Sequence, residues 1–243
     1  MGILEGFFRA LSFLTILPCP KRESTVEEYG RASGWFPVAG AVLGAILYAA
    51  ALLFHRFFSP LPASALVVAL WAFLTRGFHL DGLADTFDGI GGGFDRESRL
   101  AVMKDSRLGT FGGTALAAAL LLKTVILAEF GGRLEVLVLA PVLGRWGILI
   151  AMRFFPSARP GGMGDTFRKQ CGKPQLILGS LAALWTVLLL SGLHGLPLLG
   201  IVPALTVLFS LWLKRLLGGL TGDSYGAVCE IVELTTLFFF AAL

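Results

Sequence analysis

The chain has 243 residues, of which 56% are hydrophobic and only 15% are charged, and its mean hydropathy is +0.79. Soluble domains carry about a quarter charged residues, so the composition excludes a purely water-soluble protein and predicts that a lipid bilayer covers much of the surface. Three cysteines without a C-x-x-C spacing and only three histidines argue against a disulfide framework or a zinc site. The net charge of +4 is small, and we expect no nucleic-acid partner.

The first apolar run, residues 3–17, is short for a membrane span, which needs about 20 residues. Glu5, Arg9 and Ser12 share one helical face of this run. The pattern predicts an amphipathic helix in the membrane interface, within an N-terminal amphipathic and cytoplasmic segment, residues 1–34. The basic pair Lys21-Arg22 follows the apolar run, which argues against a signal peptide.

Seven further apolar stretches approach the length of a transmembrane helix. The predicted fold class is therefore an all-α polytopic membrane protein, a bundle of about seven transmembrane helices that forms a single integral membrane domain, residues 1–243. The predicted spans are Trp35–Phe54, Leu61–Phe78, Gly112–Phe130, Leu134–Met152, Leu176–Leu193, Leu196–Leu213 and Gly226–Leu243.

Basic residues are distributed unevenly between the two ends of these spans. With the N-terminus inside, the outer loops hold only Arg56 and Arg133, Lys123 and Arg145 lie within spans, and all other lysines and arginines fall inside. Since basic loops stay cytoplasmic, we predict a multi-pass protein of a bacterial or archaeal cytoplasmic membrane with its N-terminus and active site facing the cytoplasm. The longest loops also fall inside, at residues 79–111, 153–175 and 214–225.

The densest polar segment begins at His79 and reads HLDGLADTFDGIGGG. Asp81, Asp85 and Asp88 are spaced i, i+4 and i+7, which places three carboxylates on one helical face. These like charges repel one another, and such hard oxygen ligands select Mg²⁺, Mn²⁺ or Ca²⁺. We predict that the three aspartates bind a divalent cation and form the catalytic core of a cytoplasmic segment, residues 79–111. A solvated acidic face at the membrane surface is the alternative.

A second polar group precedes the third span. Lys104, Asp105 and Arg107 lie before a Gly-x-x-Gly-Gly stretch that opens the helix. Cations beside free backbone N–H groups at a helix N-terminus form a phosphate site, so we predict that these three residues contact the substrate. Basic residues at a membrane boundary are otherwise topology determinants.

Charges inside spans are costly and usually functional. Counted along the helix, Arg145, Glu230 and Glu233 lie roughly 6 to 11 Å from the cytoplasmic ends of their spans. We predict that Arg145 meets these glutamates across the bundle and lines the same cavity as the aspartates, a plain buried ion pair being the alternative. Lys123 lies deeper and has no predicted partner. The turn before the last span presents Asp223 at the inner face, either as a substrate contact or as a turn residue.

Several segments together resemble one known family, in order and over nearly the whole chain. They are FHLDGLADTFDG (78–89) and MKDSRLGTFG (103–112), with FLTILP (13–18), FPVAG (36–40), GRW (144–146) and TGDSYGA (221–227). This combination is similar to the signature of the cobalamin synthase family, also called adenosylcobinamide-GDP ribazoletransferases. The resemblance implies Mg²⁺-dependent transfer of the phosphocobinamide group of adenosylcobinamide-GDP to α-ribazole or its 5′-phosphate. GMP would be released, in a late step of coenzyme B12 assembly.

The same resemblance implies roles for the residues singled out above. Asp81, Asp85 and Asp88 would hold the Mg²⁺ that bridges the diphosphate, and Asp85 or Asp88 would take the proton of the attacking hydroxyl. The expected substrate-binding residues are His79, Lys104, Asp105, Arg107, Arg145, Asp223 and Glu230. Apart from the two substrates, the expected partner is the lipid bilayer, and a homo-oligomer stays open.

Two alternatives belong to other classes. The CDP-alcohol phosphotransferases share an Asp-Gly start, but here Asp81-Gly-Leu-Ala is followed by Asp85 without the arginine of that signature, and the later aspartate pair is missing. An ion-coupled transporter would use the charges within the spans as an ion path, and the inverted repeats or paired broken helices that favour it are not evident in the sequence. A structural scaffold has no need of a carboxylate stripe.

Overall fold

The structure, a computed structural model, describes residues 2–20, 23–130 and 134–243. This part of the chain contains α-helices and no strand, and a lone bridge pairs Ser157 with Leu220. The all-α prediction is confirmed. The helices are α1 (Ile3–Leu14), α2 (Val26–Arg31), α3 (Phe36–Phe54), α4 (Pro60–Leu74), α5 (Phe78–Gly92), α6 (Arg96–Val102), α7 (Thr110–Glu129), α8 (Val136–Phe154), α9 (Met163–Gln170), α10 (Lys173–Ser191), α11 (Leu198–Leu217) and α12 (Gly222–Ala241).

Six helices of the described chain are long and apolar enough to cross a membrane, and the bent pair of α4 and α5 brings the number to seven if it forms one span. The six are α3, α7, α8, α10, α11 and α12. The predicted bundle of about seven spans is confirmed, and most boundaries agree within a few residues. Lys21, Arg22 and Arg133, which enter the predicted orientation, lie outside the described residues.

Helix α8 forms the axis of the bundle. Nearly all of its side chains are buried, and it packs most extensively against α3 and α12. The contact with α3 depends on glycine, because a Cβ atom at Gly44 would lie 2.5 Å from the Cα atom of Val138. Membrane helices commonly pack through such small residues. Arg145 lies midway along α8 and is therefore held at the centre of the protein.

The second predicted span, Leu61–Phe78, is wrong at its inner end. Helix α4 stops at Leu74, and α5 leaves at 88° to it. The turn is made by Arg76 and Gly77, with φ of +56° and +63°, a conformation that a non-glycine residue adopts at an energetic cost. The Arg76 guanidinium donates to the Phe13 carbonyl oxygen at 3.0 Å, which ties the turn to α1. The acidic helix therefore does not continue α4 but packs against α7 and α12.

The N-terminal helix is shorter than predicted, since α1 ends at Leu14 instead of residue 17. Its charged face is satisfied within the protein, because Arg9 pairs with Glu5 and with Glu28 of α2, both at 3.1 Å. Helix α1 packs against α3, and the Phe13 ring lies parallel to the Phe36 ring. The end of α1 is thus part of the wall around the site described next.

Candidate active site

A cavity of about 230 Å³ lies among α1, α3, α5, α8, α9 and the first turn of α12. Its polar wall includes Asp81 from α5, Asp223 from α12 and Arg159 from the loop before α9. Helices α5 and α12 approach closely here, since a Cβ atom at Gly82 would lie 2.6 Å from the Asp223 carbonyl oxygen. The lining also includes a group of apolar side chains, Phe13, Leu14, Phe36, Phe78, Ile148, Met152, Met163 and Phe167.

The three aspartates of α5 do lie on one helix, as predicted, but their surroundings differ. Asp81 is exposed, Asp85 is half-buried and Asp88 is buried. Asp85 lies within electrostatic reach of Asp81, Asp88 and Asp223. We call Asp81, Asp85 and Asp223 the aspartate site. Asp223 was predicted as a substrate contact or a turn residue, and the structure places it beside Asp81 in the cavity wall.

Asp88 faces away from this cavity toward the start of α7. Its two carboxylate oxygens accept the backbone N–H groups of Gly109 and Gly112, each at 2.8 Å. A carboxylate at this position satisfies free N–H groups and interacts favourably with the helix dipole. Two of the helix-start N–H groups that were predicted to be free for a substrate phosphate are therefore already bound to Asp88. A metal-binding role for Asp88 stays a prediction.

The oxygen donors of the aspartate site suit Mg²⁺, which takes one or two carboxylates and fills its other positions with water and substrate phosphates. Asp81, Asp85 and Asp88 do not converge on one point. In the described chain, the one set of three potential ligand atoms within 4.8 Å of one another belongs to His79, Cys229 and Glu233. The cationic side chains of Lys123 and Arg145 contact Glu233 of this buried set. Their positive charges disfavour a metal ion there.

Four charged side chains form a buried charge cluster in the centre of the bundle: Lys123, Arg145, Glu230 and Glu233. Arg145 pairs with Glu233, as predicted. Lys123, which had no predicted partner, contacts Glu230 at 2.7 Å and Glu233 at 2.5 Å. Two positive and two negative charges balance there, and buried charges persist only when they are paired in this way.

Arg145 and Glu230 are buried within this charge cluster. They are 1% and 4% exposed, and neither lines the cavity. The prediction that Arg145 shares the cavity of the aspartates is wrong, and a direct substrate contact by either residue finds no support in this geometry.

His79 connects the charge cluster to the cavity. It is 2% exposed and lines the cavity, and its Nδ1 atom lies 3.2 Å from Arg145 Nη2. A guanidinium only donates hydrogen bonds, so Nδ1 accepts and the proton of the neutral ring lies on Nε2. His79 therefore presents a donor, which fits the predicted substrate contact better than a role as general base.

Lys104, Asp105 and Arg107 lie in the exposed loop between α6 and α7, outside the cavity wall. Arg107 forms a salt bridge to Asp105 at 2.5 Å, and hydrogen bonds from Arg107 hold the pKa of Asp105 at about 2, below its ordinary value. Their predicted contact with substrate requires that the substrate extend beyond the cavity.

Arg159 lines the cavity, although it was predicted only as a topology determinant. Its Nη1 atom donates to Asp223 at 3.2 Å and its Nη2 atom donates to the Leu100 carbonyl oxygen at 2.9 Å. Its buried Nε atom has no hydrogen-bond partner within the described chain. The signal was present, because Arg159 begins the stretch RPGGMG, which resembles the glycine-rich basic segment noted before α7.

The loop that carries Arg159 is fastened by Asp165 of α9. This carboxylate accepts the Gly161 N–H at 2.9 Å and pairs with Lys169 at 2.8 Å. Those contacts, that with Lys169 foremost, hold the pKa of Asp165 at about 2, below its ordinary value. Asp165 thus remains ionised throughout the neutral range and keeps the loop in place beside the aspartate site.

The fold and the site define a multi-pass membrane protein whose carboxylates and arginine meet at the opening of an aromatic cavity. The chain matches the family described as cobalamin-5-phosphate synthase over residues 6–241. It is 44% identical over 230 residues to the adenosylcobinamide-GDP ribazoletransferase of Roseiflexus sp., covering 94% of this chain and 86% of the relative. No solved structure matches it.

Two further relatives carry the same name. The protein of Desulforamulus reducens is 40% identical over 232 residues, covering 94% of this chain and 93% of its own. That of Klebsiella pneumoniae is 41% identical over 254 residues, covering 99% and 100%. The chain belongs to the cobalamin-5-phosphate synthase family, and it is an enzyme, a transferase of cobalamin synthesis.

Proposed function

We propose that this protein transfers the phosphocobinamide group of adenosylcobinamide-GDP to α-ribazole or its 5′-phosphate, and that Mg²⁺ is required. The relatives' shared name supplies the donor and the acceptor. The observation that carries the proposal is that Asp81 and Asp223, which are far apart in the sequence, lie together with Arg159 in the wall of one cavity. This is the combination of carboxylates and cation that phosphoryl transfer requires.

In the proposed reaction, a ribose hydroxyl of the acceptor attacks the phosphorus that carries the cobinamide. A new oxygen–phosphorus bond forms, the bond from this phosphorus to the bridging oxygen of the diphosphate breaks, and GMP leaves with that oxygen. The proton of the hydroxyl passes to a carboxylate. Asp85 suits this role better than Asp88, because both oxygens of Asp88 already accept backbone N–H groups.

Asp81 and Asp223 both lie in the cavity wall, and in this proposal they would hold the cation. Bound Mg²⁺ would offset the charge that builds on the leaving phosphate. Arg159 orients Asp223 through their salt bridge, and its unpaired Nε atom offers a further donor to a phosphate oxygen. Lys104 and Arg107, in the exposed loop, would contact the part of the donor that extends beyond the cavity.

The proposal places the site in the cytoplasm and the protein in a bacterial cytoplasmic membrane. It is supported by the excess of lysine and arginine on the side of the long loops.

The test of this orientation compares single cysteines at two exposed positions, Glu97→Cys near the site and Arg56→Cys at the opposite end, in a cysteine-free protein. A membrane-impermeant thiol reagent added outside intact cells should label only Arg56→Cys, and labelling of Glu97→Cys would reverse the orientation.

The activity itself is tested with the purified protein in lipid nanodiscs. Adenosylcobinamide-GDP and α-ribazole should release GMP in equal amount to the product formed, and removal of Mg²⁺ by a chelator should stop the release until Mg²⁺ is restored. GMP release without an acceptor would indicate hydrolysis, and an undiminished rate in the chelator would remove the metal from the proposal.

A further inference from the structure

The inner part of the cavity is aromatic. Phe36 and Phe167 are 1% and 2% exposed. The Phe13 ring lies nearly parallel to the Phe36 ring, at 6.0 Å and 11°, and its centroid is 4.8 Å from that of Phe167. Asp81 and Asp223, in contrast, are exposed and half-buried. The cavity is therefore polar at its opening and aromatic inside.

The proposed transfer does not use this inner part. The attacking hydroxyl, the diphosphate and the cation all interact with carboxylates and a guanidinium at the opening. Neither a sugar nor a phosphate gains much from a wall of buried phenyl rings. A planar heteroaromatic base does, because stacking on aromatic side chains stabilises each bound base by roughly 1–3 kcal/mol.

Both substrates of the proposed reaction contain a base, and the polar atoms of the wall distinguish them. Among the described lining residues, three buried polar atoms have no hydrogen-bond partner: His79 Nε2, Arg159 Nε and the Tyr225 hydroxyl oxygen. Two other buried polar groups of the lining are engaged, since Asp165 accepts the Gly161 N–H and the Thr221 hydroxyl accepts the Ser224 N–H.

Guanine carries several N–H groups on its edge, and burying them without acceptors is costly. His79 Nε2 and Arg159 Nε are donors, so only the Tyr225 hydroxyl could accept one of these N–H groups. The base of a ribazole is an apolar fused ring with a single unsubstituted ring nitrogen that accepts one hydrogen bond. An aromatic wall with donors and a single free acceptor therefore matches that base better than guanine.

We infer that the aromatic cavity binds the base of the acceptor riboside, with its ribose directed toward the opening where Asp81 and Asp223 lie. The inference rests on the proposed function for the identity of the acceptor. It assigns acceptor specificity to Phe13, Phe36 and Phe167, and it leaves the guanine of the donor outside the cavity. The attacking hydroxyl then meets the donor's phosphorus at the boundary between the aromatic and polar parts.

The test uses the Phe167→Leu variant, which keeps an apolar side chain but removes the ring. In nanodiscs, it should raise the KM for α-ribazole about tenfold and change the KM for adenosylcobinamide-GDP less than twofold. The matched control is Phe73→Leu on α4, whose side chain is 66% exposed on the outside of the bundle. That control should leave both constants within twofold of the unmodified protein.

A binding measurement on the unmodified protein keeps the test independent of folding and turnover. Free α-ribazole should bind without the donor, a saturating concentration of GMP should change its affinity less than twofold, and ribose 5-phosphate should not displace it. Competition by GMP, or a rise in the donor's KM in Phe167→Leu, would place the guanine in the cavity and overturn the inference while the activity stands. If the protein shows no turnover at all, the binding measurement still tests the inference. Absence of α-ribazole binding would overturn it, whereas binding would support the site for the base without supporting the transfer reaction.

Discussion

The buried charge cluster and the aspartate site are both groups of ionisable side chains at or within an apolar bundle, yet they balance their charges differently. In the cluster, Lys123 and Arg145 neutralise Glu230 and Glu233. In the aspartate site, one guanidinium, that of Arg159, faces three carboxylates. Balanced charges stabilise a structure by themselves, whereas neighbouring carboxylates in excess favour the binding of a cation or a proton. The comparison therefore predicts that substitutions in the cluster affect stability and substitutions in the aspartate site affect activity.

The largest effect on catalysis is expected at Asp81. Asp81→Asn should lower the rate of GMP release about a thousandfold at saturating substrates, because the isosteric amide removes a negative charge from the proposed Mg²⁺ site. Its thermal midpoint should stay within about 2 °C of the unmodified protein, since the side chain is exposed. Glu97→Gln, an exposed carboxylate on α6, is the control and should keep full activity. A loss below tenfold in Asp81→Asn would refute the assignment.

Substitutions in the charge cluster should lower the stability of the protein. Glu233→Gln leaves Lys123 and Arg145 facing Glu230 alone, and an unbalanced buried charge costs about 3–5 kcal/mol. We expect a large fall in the folded yield and in the midpoint of denaturant unfolding. Adding Lys123→Met to Glu233→Gln restores the balance and should recover at least half of the loss. Independent, additive effects of the two changes would show that the four charges are not coupled.

An intermediate effect is expected at Arg159, which connects the cavity wall to Asp223. Arg159→Ala should lower kcat/KM for the donor by about 10- to 100-fold, as for the loss of hydrogen bonds to charged groups, and should raise the Mg²⁺ concentration needed for half-maximal rate. Arg159→Lys should recover little, because an ammonium cannot reproduce both guanidinium contacts. Arg153→Ala, in α8 and outside the cavity wall, is the control. An unchanged Mg²⁺ requirement would mean that Arg159 does not orient Asp223.

The smallest loss of activity is expected at Asp88. If the role of this residue is to bind the first turn of α7, Asp88→Asn should lower stability by about 1–2 kcal/mol, because the amide nitrogen cannot accept the second backbone N–H, and activity by less than tenfold. If it binds the metal, as its spacing with Asp81 and Asp85 predicted, activity should fall as far as in Asp81→Asn. Measuring the thermal midpoint and the rate of GMP release in the same preparation distinguishes the two roles.

Much of the candidate site could be predicted because its signals are local. The i, i+4, i+7 spacing placed Asp81, Asp85 and Asp88 on one helix, and the turn before the last span drew attention to Asp223. Arg145 and Glu233 were paired because charges inside a span demand partners. The motifs FLTILP and FPVAG contain Phe13 and Phe36, yet nothing in them indicated that these rings form a cavity wall.

Hydropathy and helical spacing are properties of neighbouring residues, so one sequence was enough to predict the all-helical membrane fold, about seven spans and the segment that carries the carboxylates. The 88° turn between α4 and α5 could not be predicted in this way. The same is true of the contact of Asp88 with α7, the position of Asp223 and Arg159 beside Asp81, and the pairing of Lys123 with Glu230. Each of these depends on which helices pack together, and contacts between residues far apart in the chain leave no periodic signal in one sequence.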